Sequence, residues 1–116
     1  MDEHTIALST NDYKNLSRDP FGQSHYFELY HLDGSSVKKV DIRENVLFRQ
    51  ACGLRGRAEH LHGLLGDVQY LVGTEFEVEV KQALEDRGHR ILTVPGGSTT
   101  AAIKQLHATY ARQQSV

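Results

Sequence analysis

The sequence predicts an α/β domain in which a mixed sheet of about five strands is flanked by three main helices. Two observations lead to this fold class. Short apolar, β-branched runs alternate with longer segments in which apolar residues recur at helical spacing. In addition, two alternating runs near the N-terminus are joined by a turn-rich segment, which is the pattern of an antiparallel hairpin and not of a purely parallel sheet.

The first half of the chain supplies the strands of that hairpin. Residues 5–10 are apolar and β-branched and end at a polar loop, so they predict a buried first strand. Residues 25–32 and 37–42 each alternate apolar with polar side chains and predict the hairpin itself. Residues 45–56 have no clear period and contain glycines, so we expect a mobile loop there.

The second half alternates helices with buried strands. Apolar spacing predicts helices over residues 57–65 and 76–88 and a last helix that Ser98 caps at its N-terminus. Short apolar runs predict strands over residues 68–72 and 91–94. Right-handed crossovers would bury these later strands in a mixed sheet between helices.

Composition limits the classes of partner. A chain of 116 residues with net charge -2 is expected to form one domain, residues 1–116, without a bulk preference for nucleic acid or an anionic membrane. Cys52 is the single cysteine, so no internal disulfide is possible. No apolar run approaches the ~20 residues of a membrane span, and the N-terminus has no signal-peptide pattern. We therefore expect a cytoplasmic protein.

Five segments, taken in order, resemble the dinitrogenase iron-molybdenum cofactor family, which includes NifX-type cofactor-binding domains. They are residues 6–12, 21–30, 43–45, 67–73 and 94–97. Members of this family typically have a strand, a loop ending in His-Phe-Gly-x-Ser/Ala and then an aromatic-rich strand. The similarity covers nearly the whole chain, although Pro20 stands where the family's loop histidine would be.

The resemblance implies a ribonuclease-H-like fold and no catalysis common to the members. It also implies a role in carrying or storing a metal-sulfur cluster, of iron-molybdenum or molybdenum-copper type, for a cluster-assembly or recipient protein. The chain itself would be a monomer or a homodimer. Cys52 could take the place of the missing loop histidine, because it lies in the loop after the third predicted strand.

Cys52 and His25 are the predicted metal ligands. A metal-sulfur cluster is soft and usually anionic, so it requires thiolate or imidazole ligands together with cationic or N–H donors. Arg55 and Arg57 follow Cys52 closely and would stabilise its thiolate form. The alternatives are that Cys52 is a small buried apolar side chain and that His25 is a histidine on the strand surface.

Further cofactor-binding residues are expected where strands end and helices begin. Ser24 belongs to the Phe-Gly-x-Ser element, and Arg43 ends the third predicted strand. Gly73 and Gly96 precede predicted helix N-termini, where N–H groups favour anions. Turn geometry explains both glycines equally well, and a solvated strand end explains Arg43.

Other chemistry is less well supported by the sequence. His60 and His62 stand two residues apart on a predicted helix, so they point to different faces and cannot both bind one metal ion there. A metal-dependent hydrolase would need several converging carboxylates, and Asp12 and Asp41 are the only candidates at strand ends. We therefore expect no enzymatic activity. A metal-free regulatory or protein-interaction domain is the alternative to a cluster carrier.

Overall fold

A five-stranded mixed sheet with helices on both faces organises the chain, as the sequence predicts. The computed structural model describes residues 4–32, 36–45 and 54–114, with the side chains of residues 4, 54, 55 and 110–114 left out of the description. The strands are β1 (His4–Thr10), β2 (Tyr26–Leu32), β3 (Val37–Glu44), β4 (Tyr70–Gly73) and β5 (Arg90–Thr93). The helices are α1 (Leu54–Leu65), α2 (Val78–Asp86) and α3 (Thr99–Gln114), and a short 3-10 turn spans Phe21–Gln23.

The first strand of the chain lies in the middle of the sheet, whose strand order is β3-β2-β1-β4-β5. Strand β2 is antiparallel to both of its neighbours, whereas β1, β4 and β5 are parallel. The parallel register places Ile6 beside Tyr70 and Leu71 beside Ile91. Because parallel strands end on the same side, the carboxyl ends of β1, β4 and β5 share one edge of the sheet.

Both faces of β1 are buried, which explains its nearly uninterrupted apolar sequence. Ala7 belongs to the core cluster under α1 and α2, while Ile6 and Leu8 belong to the cluster under α3. This is the alternation of side chains expected along a strand. Phe27 and Leu29 of β2 also lie in the first cluster. The prediction of a buried first strand is confirmed.

The helices pack on the sheet through apolar stripes. On α1, Ala58, Leu61 and Leu65 stand at positions i, i+3 and i+7 and are buried in the first core cluster. Helix α2 adds Val80 and Leu84 to the same cluster. Within the described residues, none of the helices is long and apolar enough to cross a membrane.

The start of α1 differs from the sequence prediction. The helix begins at Leu54, so residues 54–56, which we expected in a loop, are helical. Leu54 stands four residues before Ala58 and extends the apolar period backwards, although the glycines around it lower the helix propensity. Asn45, at the other end of the expected loop, is fully buried. The remainder of that loop, residues 46–53, lies outside the described residues.

Phe76 is not part of the second helix, contrary to prediction. Helix α2 begins at Val78, and Phe76 packs from the connecting segment with its ring 4.8 Å from that of Phe21. Its contact with the core is as expected, because an aromatic side chain can reach the core from a loop. Similarly, β4 begins at Tyr70, and buried Val68 lies in the preceding turn instead of the strand.

Candidate functional site

The loops that follow the three parallel strands are bound to one another at one edge of the sheet. The N–H of Phe21 donates to the carbonyl of Glu75 over 2.8 Å and joins the loop after β1 to the loop after β4. The N–H of Leu16 donates to the carbonyl of Gly97, also over 2.8 Å, and joins it to the loop after β5. We call this surface the loop end and define it as residues 11–25, 74–77 and 94–98.

Three helices begin at the loop end. Arg57, in the first turn of α1, forms an ion pair of 2.5 Å with Glu77, the residue that precedes α2. Ser98 precedes α3, and its Oγ accepts the N–H of Ala101 over 3.0 Å, so its predicted capping role is confirmed. Helix N-termini present N–H groups and a partial positive charge. These three N-termini therefore supply N–H groups that favour an anion at the loop end.

The loop after β1 is held in shape by its own polar side chains. The Oδ1 of Asn11 accepts the N–H of His25 over 2.9 Å, while its Nδ2 donates to Ser17 and Asp19. Asp12 accepts the backbone N–H groups of Asn15 and Lys14. These hydrogen bonds lower the pKa of its carboxyl to about 2. This carboxylate is therefore engaged by backbone donors within its own loop.

Asn45 connects three parts of the chain at the loop end. Its side chain is fully buried, and its Nδ2 donates to the carbonyl oxygens of Gly22 and Ser24, each over 2.9 Å. Its Oδ1 lies 2.9 Å from Nε2 of His60 on α1. The backbone N–H of Asn45 also donates to the carbonyl of His25 over 2.8 Å. One buried amide thus ties the end of β3 to the 3-10 turn and to α1.

Arg57 lies along the backbone of Gly22. A Cβ added at Gly22 would stand 2.8 Å from Cδ of Arg57 and 3.0 Å from Cδ1 of Leu61, so the glycine makes room for this arginine. The Arg57 side chain is only 13% exposed. Its Nε is buried and has no hydrogen-bond partner among the described residues. Arg57 therefore has a polar N–H group at the loop end that the described part of the protein does not use.

Ser24 supplies a second such group, because its Oγ is fully buried and lacks a hydrogen-bond partner within the described ranges. The backbone carbonyl of Ser24 is occupied by Asn45. A buried hydroxyl or guanidinium N–H without a partner is uncommon in folded proteins and calls for an explanation. A polar ligand at the loop end is one such explanation.

Local geometry favours glycine at both predicted positions. A Cβ at Gly73 would lie 3.1 Å from both Cδ1 of Phe21 and Oγ of Ser9, so a side chain there would require these neighbours to move. Gly96 has a φ angle of 102°, a conformation that residues with a side chain rarely adopt. Gly96 belongs to the loop end and Gly73 is the last residue of β4 beside it, and packing or turn geometry accounts for their identity.

His25 lies at the border of the loop end and β2. Its backbone is fixed at the N–H by Asn11 and at the carbonyl by Asn45. Its half-buried ring meets that of Tyr26 edge-on, with centroids 5.9 Å apart. The structure thus brings five predicted residues to one end of the sheet: Ser24, His25, Arg57, Gly73 and Gly96.

Two predicted residues cannot be placed in this way. Cys52 lies outside the described residues, and Arg55 is described only by its helical backbone in α1. Their roles as ligand and as cationic neighbour stay predictions.

Arg43 is directed away from the loop end. Its Nη1 and Nη2 form 2.7 Å and 2.9 Å hydrogen bonds with Asp67, and its Nε lies 3.1 Å from Asp41. Nη1 also donates to the carbonyl of Leu64 at the end of α1 over 2.8 Å. The contact with Asp67 raises the pKa of the guanidinium and lowers that of the carboxyl. This geometry explains Arg43 as a structural residue, and its anion-binding role stays a prediction.

The two histidines of α1 face different partners, as their spacing predicts. His60 contacts Asn45, whereas Nδ1 of His62 lies 3.0 Å from Nε2 of His89. Asn45 and Asn11 were not among the predicted functional residues. Each directly follows a strand, and an asparagine at a strand end was the available signal, since its amide can bridge loop backbone groups. Among the described residues, no group of three or more metal-binding side chains could hold a metal ion.

The geometry defines a class: a small α/β domain in which the loops after three parallel strands form one polar end of a mixed sheet. Within that class the chain belongs to the dinitrogenase iron-molybdenum cofactor family, whose model matches residues 3–109. The resemblance inferred from the sequence is therefore confirmed. No curated protein matches the chain.

Among solved structures, the chain is similar to PH0822, known from its crystal structure. The TM-score is 0.72 at 19% sequence identity, and the match covers 90% of this chain and 91% of that one. At this identity the similarity concerns the fold.

Proposed function

We propose that the chain binds a metal-sulfur cluster of the iron-molybdenum or molybdenum-copper type at the loop end, and carries or stores it for a cluster-assembly or recipient protein. Membership of the cofactor family over residues 3–109 is the observation that carries this proposal. Binding and release require no chemical conversion by the protein, so the proposed role is not enzymatic. The proposed fold type is ribonuclease-H-like, and the strand order β3-β2-β1-β4-β5 around an antiparallel β2 supports it.

The hydrogen-bond donors of the loop end support an anionic cargo. The sulfides of a cluster accept hydrogen bonds from N–H and O–H groups. The N-termini of α1, α2 and α3 supply N–H groups at this end, and the unpartnered Nε of Arg57 and Oγ of Ser24 supply two more donors. Gly96 has no side chain to cover its own backbone in the loop after β5, and Gly73, the other proposed glycine, ends β4. Together these groups would contact the outer sulfides.

The proposed metal ligands are Cys52 and His25. Thiolate is the ligand that iron, copper and molybdenum sulfides accept most readily, and the imidazole of His25 is a nitrogen donor at the border of the loop end. Arg55 is proposed to favour the thiolate form of Cys52. Arg43 would have to leave Asp67 and Asp41 to contact the cluster, so it is the weakest member of the proposed set.

A metal-free protein-interaction domain is the second candidate function, and Pro20 is the observation that favours it. This residue stands where the family's loop histidine would be, and proline has no ligand atom in its side chain. In that case the buried donors at the loop end would bind an acidic group of a partner protein.

Anaerobic reconstitution separates the two candidates. The protein is incubated with ferrous iron, sulfide and tetrathiomolybdate, in parallel with and without cuprous ions, and desalted. Metals per chain and the visible spectrum are then measured. A cluster carrier retains a fixed number of molybdenum atoms per chain and shows a visible absorption band. Desalted protein with neither metal nor colour contradicts the proposal.

Two arginine variants test where the cluster binds. Arg57→Met removes the buried guanidinium at the loop end and should reduce the retained metal. Arg87→Met is the matched control, because Arg87 is exposed and forms its ion pair with Glu59. Equal retention by both variants would argue against the loop end as the site.

A further inference from the structure

The orientation of the Asn45 amide is determined by its partners. Its Nδ2 faces two carbonyl oxygens, those of Gly22 and Ser24, and each can only accept a hydrogen bond. The reverse orientation would place the amide oxygen against two other oxygens in a fully buried position. The Oδ1 of Asn45 must therefore be the atom that lies 2.9 Å from the imidazole of His60.

This orientation determines the tautomer of His60. An amide oxygen only accepts hydrogen bonds, so Nε2 of His60 must carry the proton and donate it to Asn45. Burial lowers the pKa of His60, which favours the neutral ring. In a neutral imidazole with the proton on Nε2, Nδ1 carries a free lone pair. Asn45 thus prepares one particular nitrogen of His60 as a ligand atom.

His60 also lies beside the unpartnered donors of the loop end. It follows Arg57 by one helical turn, so the two side chains are neighbours on the surface of α1. Arg57 in turn lies along Gly22, whose carbonyl is held by the same Asn45 amide. Within the described residues, the hydrogen bond to Asn45 is the one that the His60 ring makes.

We infer that His60 is a metal ligand of the loop end, donating the Nδ1 lone pair to a metal of the bound cluster while Asn45 holds the ring through Nε2. Histidines that bind metals almost always donate their other ring N–H to a protein acceptor, which fixes the tautomer and the ring orientation. The Asn45 Oδ1 is in the position of that acceptor. The inference rests on the proposed function for the identity of the metal but not for the tautomer.

The tautomer is tested first, on metal-free protein. Long-range nitrogen–proton correlation spectra of protein labelled with nitrogen-15 histidine report which ring nitrogen carries the proton. We expect His60 to be in the Nε2–H form near neutral pH, and the signals that are missing from His60→Gln protein assign its ring. A His60 ring protonated on Nδ1 would overturn the inference whether or not a cluster binds.

Ligation is tested with His60→Gln. The glutamine side chain retains an N–H donor for Asn45, but its amide nitrogen is not basic enough to bind a metal, so the buried hydrogen bond can persist while the nitrogen ligand is lost. When a ligating histidine loses only the residue that accepts its other ring N–H, the metal affinity falls by roughly 10- to 100-fold. We expect His60→Gln to release molybdenum and iron to a competing chelator at least about tenfold faster than the wild type.

His31→Gln is the matched control, because His31 lies on β2 at the opposite end from the loop end, paired with Thr5. Thermal unfolding of both variants is measured so that loss of metal can be separated from loss of fold. Wild-type protein that holds no cluster would overturn the proposed function and this inference together. Wild-type and His60→Gln proteins that hold the cluster equally well would overturn the inference alone.

Discussion

The imidazoles of His62 and His89 meet end-on, with Nδ1 of His62 3.0 Å from Nε2 of His89 and the ring planes inclined by 77°. The other nitrogen of His89, Nδ1, lies 2.8 Å from the carbonyl oxygen of Val68 and must therefore carry a proton. In the neutral pair, Nε2 of His89 accepts and His62 donates. The pair connects α1 to the turn before β5 through a residue, His89, that is only 5% exposed.

The first prediction is that the protein loses stability in mild acid through His89. Burial lowers the pKa of this histidine below its ordinary value of 6.5, and the neighbouring His62 acts in the same direction. Below pH 6.5 the unfolded chain therefore binds more protons than the folded one. The contribution of His89 to the free energy of unfolding is complete above that pH and is lost as the pH falls towards the folded-state pKa. For one titrating group, the free energy of unfolding falls by no more than about 1.4 kcal/mol per pH unit.

Urea unfolding between pH 5 and pH 8 measures this effect. His89→Asn removes the titrating group while its amide can still donate to Val68, so we expect a shallower pH dependence in the variant. Burial also lowers the pKa of His60, so a residual slope of the same sign should remain. Identical pH profiles for wild type and His89→Asn would contradict the prediction.

The second prediction concerns two glycines that differ in the space around them. Gly22→Ala places a Cβ against Arg57 and Leu61 and should destabilise the protein by about 1–3 kcal/mol through overpacking. Gly63 lies in the last turn of α1, and a Cβ added there would have no atom within 4 Å, so Gly63→Ala should stabilise the protein by up to about 1 kcal/mol. Chemical denaturation of both variants measures the difference. If the free energy of unfolding changed with the same sign in both variants, Arg57 and Leu61 would have moved to accommodate the added Cβ at Gly22.

The third prediction is that Cys52→Ser loses the cluster while folding is retained. Serine removes the soft ligand at nearly constant volume, so retained metal should fall further than in any single-histidine variant, while stability changes by less than about 0.5 kcal/mol. Metal content after anaerobic reconstitution and thermal unfolding are measured on the same preparations. Full metal content in Cys52→Ser would remove Cys52 from the proposed ligands, and a large loss of stability would identify it as a core residue.

The fourth prediction is that the protein has no nuclease or phosphatase activity with magnesium or manganese. Such chemistry needs several carboxylates around metal ions. Asp12 accepts backbone N–H groups within its own loop, and Asp41 is bound by Arg43. Assays with single-stranded nucleic acid and with an aryl phosphate should therefore give no turnover above background. Activity that disappears in Asp12→Asn or Asp41→Asn would overturn the prediction.

The order of the strands and helices could be predicted because each element has a local signature. Apolar period and turn residues are local properties, and they placed the hairpin and the βα units correctly. The start of α1 was missed because glycines near Leu54 obscure the helical period. Phe76 was placed in a helix because its spacing agreed with one, and the period does not distinguish a loop residue that reaches the core.

The missed interactions join residues that are distant in the sequence. Arg43 was a reasonable anion-binding candidate at a strand end until the fold brought Asp67 to it. Glu28 belongs to a run that alternates regularly, yet its carboxylate is fully buried and paired with Lys39 over 2.8 Å. No local pattern contains such pairs. Tertiary contact determined which polar residues at the loop end were already engaged, and so which remained for a ligand.

The central position of β1 has a consequence for synthesis on the ribosome. This strand is made before the other four, and β2 can pair with one of its sides, and β3 with β2, as soon as they emerge. Its other side can pair only after β4 has been made. The backbone N–H and C=O groups on that side of an apolar strand are therefore unpaired while α1 is made. Open strand edges promote association between chains, and closing a parallel pair across a long loop is slow. The nascent chain is therefore most vulnerable to aggregation between the completion of β3 and the arrival of β4.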